Sequence, residues 1–305
     1  MDAQKMLTPA AWALLLGLAL IWGGSFLSIR TALDEVSPAW VVAHRVSWAA
    51  LLVWAVVAAR GLPVPREPGA WAALAVMGLL NNVVPFGLIA WGQQFIETGL
   101  ASILNASTAI FGVLVAAIVF SDERLSARRL LGVTVGFLGV VTAIGWDAVS
   151  GLDPRSLGQI AILLASLSYA FAGAWGRARL SGLSPQVAAA GMLTASAAMA
   201  IPLAWASEGA PDLSLSSRTL GALAYMGLLA TGTAYLLYYR LLRAAGSGNA
   251  LLTTLLVAPI AIVLGAVVLG EALHPSAYAG FALLALGLAI LDGRVFAGAA
   301  RRRAR

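Results

Sequence analysis

The chain contains no cysteine, which removes disulfides, thiolate metal sites and a cysteine nucleophile from consideration. It has only two histidines, His44 and His274, too few for a histidine-based metal centre, and nothing implies a cofactor. Charge is scarce too. Asp, Glu, Lys and Arg together make up 10% of 305 residues, where a soluble domain carries about 25%. The apolar stretches hold no H-E-x-x-H, no G-x-S-x-G, no carboxylate pair and no Cys–His pair, so an integral-membrane enzyme has no recognisable chemistry to run on. Acids buried in helices are nearly absent, which argues against a pump built on several protonatable groups. What the chain does have is apolar surface: 61% of residues are hydrophobic and the mean hydropathy is +0.90. No fold of this length hides that much from water, so its solvent is lipid.

The sequence pI near 10.3 does not point to nucleic acid, because the arginines are scattered between apolar blocks and only the tail "RRRAR" forms a cluster. A helix needs about 20 apolar residues to cross the hydrocarbon core. Ten blocks qualify, at roughly 9–31, 38–59, 70–93, 98–120, 127–146, 157–177, 185–206, 218–241, 247–270 and 276–293. The first block is expected to be a retained span, since no small-residue cleavage site follows it. The expected class is therefore an all-α integral membrane protein with ten transmembrane helices.

The two halves of the chain resemble each other. "SDERLSARRLLGVTVGFLGVVTAI" from Ser121 matches "LGEALHPSAYAGFALLALGLAILD" from Leu269 at an offset of 148, pairing Glu123 with Glu271 and Gly139 with Gly287. Ser37-Pro38 matches Ser184-Pro185 at 147. The implied units are 1–148 and 149–305, each with five helices. An odd helix number forces the copies to cross in opposite directions. With the N-terminus in the cytoplasm, fifteen of the 19 basic residues fall in cytoplasmic gaps or tails. Only Arg30, Arg155 and Arg218 fall outside, and Arg45 lies within a span. That bias predicts an N-in, C-in arrangement of inverted repeats, a design of carriers that alternate access about a midplane site.

Four stretches carry a family resemblance: "ALIWGGSFLSIR", "SPAWVVAHRVSWAALL", "SDERLSARRLLGVTVGFLGVV" and "LGEALHPSAYAGFALLALGLAIL". The chain resembles the drug/metabolite transporter superfamily, EamA type, over nearly its whole length. The resemblance implies a ten-helix carrier of the bacterial inner membrane, often an exporter of amino acids, most similar to the branch handling aromatic and other neutral ones. An exporter or facilitator of other small metabolites or drugs is the alternative. Members often carry a proline in both fourth-type helices. Here it is present as Pro259, a hinge or gate candidate, but its counterpart is Phe111.

Polar groups inside a span usually face a bundle interior or a wet cavity. Asn82 and Phe86 in the third block match Thr231 and Tyr235 in the eighth at an offset of 149, so one polar-then-aromatic pair occurs in both copies. Tyr239 continues that face. Asn105 in the fourth block matches Thr253, with Thr254 beside it, and Trp22 in the first matches Tyr169 in the sixth, followed by Trp175. Aromatic walls suit an amphipathic small-molecule substrate through stacking and cation–π contact; simple packing explains aromatics at this spacing equally well. His44 and Arg45 complete the candidate substrate-binding set. Arg45 lies seven residues from Pro38, about 10 Å into the span, where a cation facing lipid costs a few kcal/mol. Either its stem snorkels to the surface, or it borders an outward-opening cavity as a gate or substrate-orienting group. The second reading is preferred. Glu123 and Glu271 stand beside chain turns, where capping or bracing the next helix is a better reading than proton coupling. "GVTVG" at Gly132–Gly136 predicts close packing within the bundle rather than a dimer contact; the chain is expected as a monomer or homodimer.

Overall fold

The computed structural model describes residues 8–121, 126–144, 154–245 and 252–292. These form ten helical rods and no strand among the described residues: α1 Pro9–Ala32, α2 Pro38–Ala59, α3 Pro68–Gly92, α4 Thr98–Val119, α5 Ala127–Ile144, α6 Pro154–Arg179, α7 Pro185–Glu208, α8 Ser217–Ala244, α9 Leu252–Leu269 and α10 Pro275–Asp292. The first eight are long and apolar enough to cross a membrane, and the apolar parts of α9 and α10 are shorter. Proline opens α1, α2, α3 and α7, where its missing N–H costs nothing. The outer faces are apolar as well: Leu51 is 72% exposed and Ile118 84%. Side chains of that kind turned outward over many helices are the surface of a multi-pass membrane protein.

Each helix packs chiefly against helices from the other half of the chain. The pairs α2–α7 and α5–α10 join equivalent members. The pairs α1–α9 and α6–α4, α1–α8 and α6–α3, and α2–α8 and α7–α3 match in the same way. The α5–α10 contact is the tightest because glycines meet there. A Cβ added to Gly139 would lie 2.8 Å from the Gly280 carbonyl oxygen, and one on Gly287 2.7 Å from that of Gly132. The small-residue face read in "GVTVG" therefore packs inside this chain, backbone against backbone.

Two irregularities matter for function. Helices α3 and α8 each contain π-helical turns, Leu79–Val83 and Tyr225–Thr233, at corresponding positions of the two halves. Such wide turns are rare and gather at functional sites. Helix α4 breaks at Ala106–Ser107 between Thr98–Asn105 and Thr108–Val119, whereas α9 runs on through Pro259. The helix without the proline is thus the interrupted one. Pro259 itself is exposed, turned away from the bundle interior.

Candidate substrate-binding site

A cavity of about 950 Å³ lies between the halves, walled by residues of α1 to α9. At one end its walls are Phe120, Arg129, Arg177 and Ser181, at or near the protein surface. The other end is sealed. Phe26, Ile29 and Ile89 are buried there, and the buried Gln93 Nε2 donates to the Phe26 carbonyl oxygen at 3.1 Å. The expectation that Arg45 borders a cavity opening at the Pro38 end is therefore corrected: Arg45 does line the cavity, but the opening is at the opposite end.

The sealed end is held by carboxylates reaching from loops onto helix starts. Gly270, with φ +68°, turns the chain after α9. Glu271 Oε1 then accepts from the Thr98 backbone N–H at 3.1 Å and its hydroxyl at 2.9 Å, which caps α4. This is the bracing role read for Glu271; its counterpart Glu123 lies outside the described residues. Glu35 accepts from the Ser216 N–H at 2.8 Å and its hydroxyl at 2.6 Å at the start of α8. The Ser216 hydrogen bonds hold the Glu35 carboxyl below the usual carboxylate range. A lowered pKa favours the bonded form above the unperturbed value and loses it as pH falls through the lowered one, so this contact persists at neutral pH. Arg155 makes a two-pronged pair with Glu97, both contacts at 2.9 Å.

Arg45 is the centre of the site. It is 7% exposed, its Nε donates to Thr231 Oγ1 at 2.8 Å, and its guanidinium carbon sits 3.7 Å from the centre of the Phe86 ring. The phenols of Tyr169 and Tyr235 are near enough to interact with it electrostatically. No carboxylate pairs with it among the described residues. A buried cation held by one hydroxyl and one ring face keeps most of its donors unspent.

The matching place in the other half is neutral. Asn82 Nδ2 donates to Ser196 Oγ at 2.9 Å, and the Tyr235 hydroxyl donates to Asn82 Oδ1 at 2.7 Å while accepting from Asn81 Nδ2 at 2.8 Å. Ser196 in turn donates to the Met192 carbonyl at 2.7 Å. With the sequence offsets, Arg45–Thr231–Phe86 and Met192–Asn82–Tyr235 are counterparts.

Of the residues singled out in the sequence, Trp22, Arg45, Phe86, Asn105, Tyr169, Tyr235 and Tyr239 line the cavity. The others do not, each for a local reason. His44 is one residue, about 100° of helix, from Arg45, and lines a separate small pocket with Glu35, Trp40 and Asp212. Asn82 and Thr231, 0% and 1% exposed, stand behind the wall as supports, because the π turns shift which residue faces inward. Asn81 takes the wall position instead. Thr253 is buried while its neighbour Thr254 lines the cavity. Trp175 donates to the Ala73 carbonyl at 2.9 Å and carries Arg179 over its ring. Ser102 and Tyr238 were missed by sequence reading. Both were within reach of it: Ser102 is three residues before Asn105, and Tyr238 shares a face with Tyr235 and packs on Trp22 at 5.6 Å.

The EamA-like transporter family model matches residues 10–145 and again 156–291. The chain belongs to the EamA-like transporter family. It is 28% identical to a "Probable terminal-alkyne amino-acid exporter" of Streptantibioticus cattleyicolor, over 94% of this chain and 95% of that protein. It is also 28% identical to a "Probable amino-acid metabolite efflux pump" of Salmonella typhimurium, with the same coverage of 94% and 95%. The "Uncharacterized transporter YoaV" of Bacillus subtilis is 20% identical over 90% of this chain and 94% of its own length. One solved crystal structure aligns with a TM-score of 0.67 at 19% identity, over 92% of this chain and 97% of its own, a likeness of fold alone. The matches make the chain an EamA-family transporter of the membrane and leave its substrate to the cavity's chemistry.

Proposed function

We propose that this EamA-family protein exports small zwitterionic metabolites, amino acids with aromatic and other neutral side chains among them, across the bacterial inner membrane. The halves 1–148 and 149–305 act as inverted five-helix repeats, giving ten spans with both termini in the cytoplasm. The cavity then opens to the cytoplasm, the loading state of an exporter, and rocking of the halves about Arg45 and its neutral counterpart carries substrate outward. The observation that carries this reading is the buried Arg45, without a carboxylate partner among the described residues, in the wall of a cavity rich in aromatic rings. A substrate carboxylate supplies the missing acceptors for the guanidinium fork, and the rings of Trp22, Tyr169 and Tyr239 suit an apolar body. The names of two relatives support amino-acid export as the starting hypothesis.

The test is counterflow of radiolabelled amino acids into proteoliposomes of the purified protein. Saturable uptake accelerated by preloaded substrate is expected. A linear, non-saturable flux would make the protein a pore. Topology is tested on the cysteine-free native background: a single cysteine at Asp34 should react with an impermeant reagent from outside and one at Arg66 only from inside. Reaction of both from the same side would contradict the inverted arrangement.

A further inference from the structure

The cavity is chemically unbalanced. Among the described residues its buried centre holds the cation Arg45, and no aspartate or glutamate lines the cavity. A zwitterion brings two ionic groups into this space, and only one of them meets an ionic partner.

The neutral acceptors fare no better. The Tyr235 hydroxyl gives its proton to Asn82 and accepts from Asn81. The π face of Phe86 nearest the buried cation is covered by Arg45 itself. Asn105 Oδ1 is buried without a hydrogen-bond partner and is not exposed to the cavity's contents. The Ala230 carbonyl oxygen already accepts from the Trp22 N–H at 3.2 Å. What remains for an ammonium are hydroxyl lone pairs, the side-chain carbonyl of Asn81 and the rings of Trp22, Tyr169 and Tyr239, all uncharged. An ammonium placed there loses its hydration for weak partners while standing close to a like charge. A carboxylate at Arg45 gains charge-assisted, two-pronged bonding.

We propose that this site reads the substrate's carboxylate and not its ammonium. Its natural class then includes organic monoanions with an apolar or aromatic body, N-acylated or deaminated forms of amino acids among them, bound at least as well as the amino acids themselves. This rests on the export reading above, which it narrows.

Four compounds of one shape separate the two charges: phenylalanine, N-acetylphenylalanine, 3-phenylpropionate and phenethylamine. Each is added unlabelled, at neutral pH, against counterflow of radiolabelled phenylalanine. The two anions are expected to compete at concentrations equal to or below that of phenylalanine, and phenethylamine at least about tenfold less well, a factor equal to about 1.4 kcal/mol. Phenethylamine matching the anions, or phenylalanine outcompeting 3-phenylpropionate by tenfold, would overturn the inference while leaving amino-acid export intact. Absence of any phenylalanine counterflow would instead count against the export reading. The ligand class is then read independently, by thermal stabilisation of the detergent-purified protein: stabilisation by both anions and not by phenethylamine supports it, and stabilisation by the amine alone overturns it. Arg45→Gln should abolish the advantage of the anions in either assay. If that variant does not fold, the wild-type comparison still decides.

Discussion

Two places in the molecule correspond by sequence offset and differ in chemistry. On one side Arg45 of α2 bonds Thr231 and lies over Phe86; on the other Met192 of α7 stands beside Asn82, Ser196 and Tyr235. The helix pairings follow a two-fold pattern, so the backbone gives both places nearly the same setting. The charge does not follow that pattern. A carrier can therefore keep a symmetric hinge, which rocking needs, and still hold substrate by one pole. On the proposal above, the asymmetry sets which end of a substrate is gripped.

The largest expected effect comes from erasing that difference. Arg45→Met makes the two places alike, and transport efficiency for carboxylate substrates should fall by about 100-fold, the worth of a charge-assisted bond of about 2.7 kcal/mol. Removing a buried, unpaired cation should leave the melting temperature unchanged or raised. Arg45→Lys keeps the charge but loses the planar fork and should fall nearly as far. Counterflow kinetics and a melting curve on the same preparations check both. Transport intact in Arg45→Met would make the arginine a packing residue.

Next is the neutral side. Asn82→Ala strands the Tyr235 hydroxyl and removes the donor to Ser196, at a cost of about 1–3 kcal/mol in stability, with a several-fold loss of transport. Phe86→Ala removes the ring under the guanidinium. It should weaken transport of large side chains more than it lowers thermal stability, and equal kinetics in both proteins would leave Phe86 a packing group only.

How much of this was legible beforehand varies with the physics involved. The helices and their apolar faces came from apolar runs, and the helices sit where those runs lie. The internal packing of "GVTVG" and the bracing role of Glu271 were legible because small residues and loop carboxylates have few uses. Asn82 and Thr231 were correctly matched to each other, yet they support the wall rather than form it. A helical-face argument assumes 3.6 residues per turn, and the π turns at Leu79–Val83 and Tyr225–Thr233 break that phase where it matters. His44 and Trp175 were included by neighbourhood, and one residue of helix rotation or one extra turn removes a side chain from a cavity. The direction of the opening was not legible, since it depends on which end of the bundle is sealed.

Smaller effects belong to the sealed end. Glu271→Gln weakens the cap on α4 and should cost about 1 kcal/mol in thermal stability, with transport changed less than twofold in the direction of loading. His44→Ala should change substrate affinity least of all, because its pocket with Glu35 and Trp40 is separate from the cavity. A His44→Ala affinity loss comparable to that of Arg45→Met would erase the distinction between the two pockets.

Labelling at Gly112 tests the central claim most directly. This glycine lines the cavity, and an added Cβ there meets nothing within 4 Å, so Gly112→Cys fits on the cysteine-free chain. In oriented membrane vesicles an impermeant maleimide should reach it from the Arg177 end. Added phenylalanine should slow that reaction in the Gly112→Cys protein and leave it unchanged when Arg45→Met is also present. Labelling only from the Pro38 end, or equal protection with and without Arg45, would contradict the account.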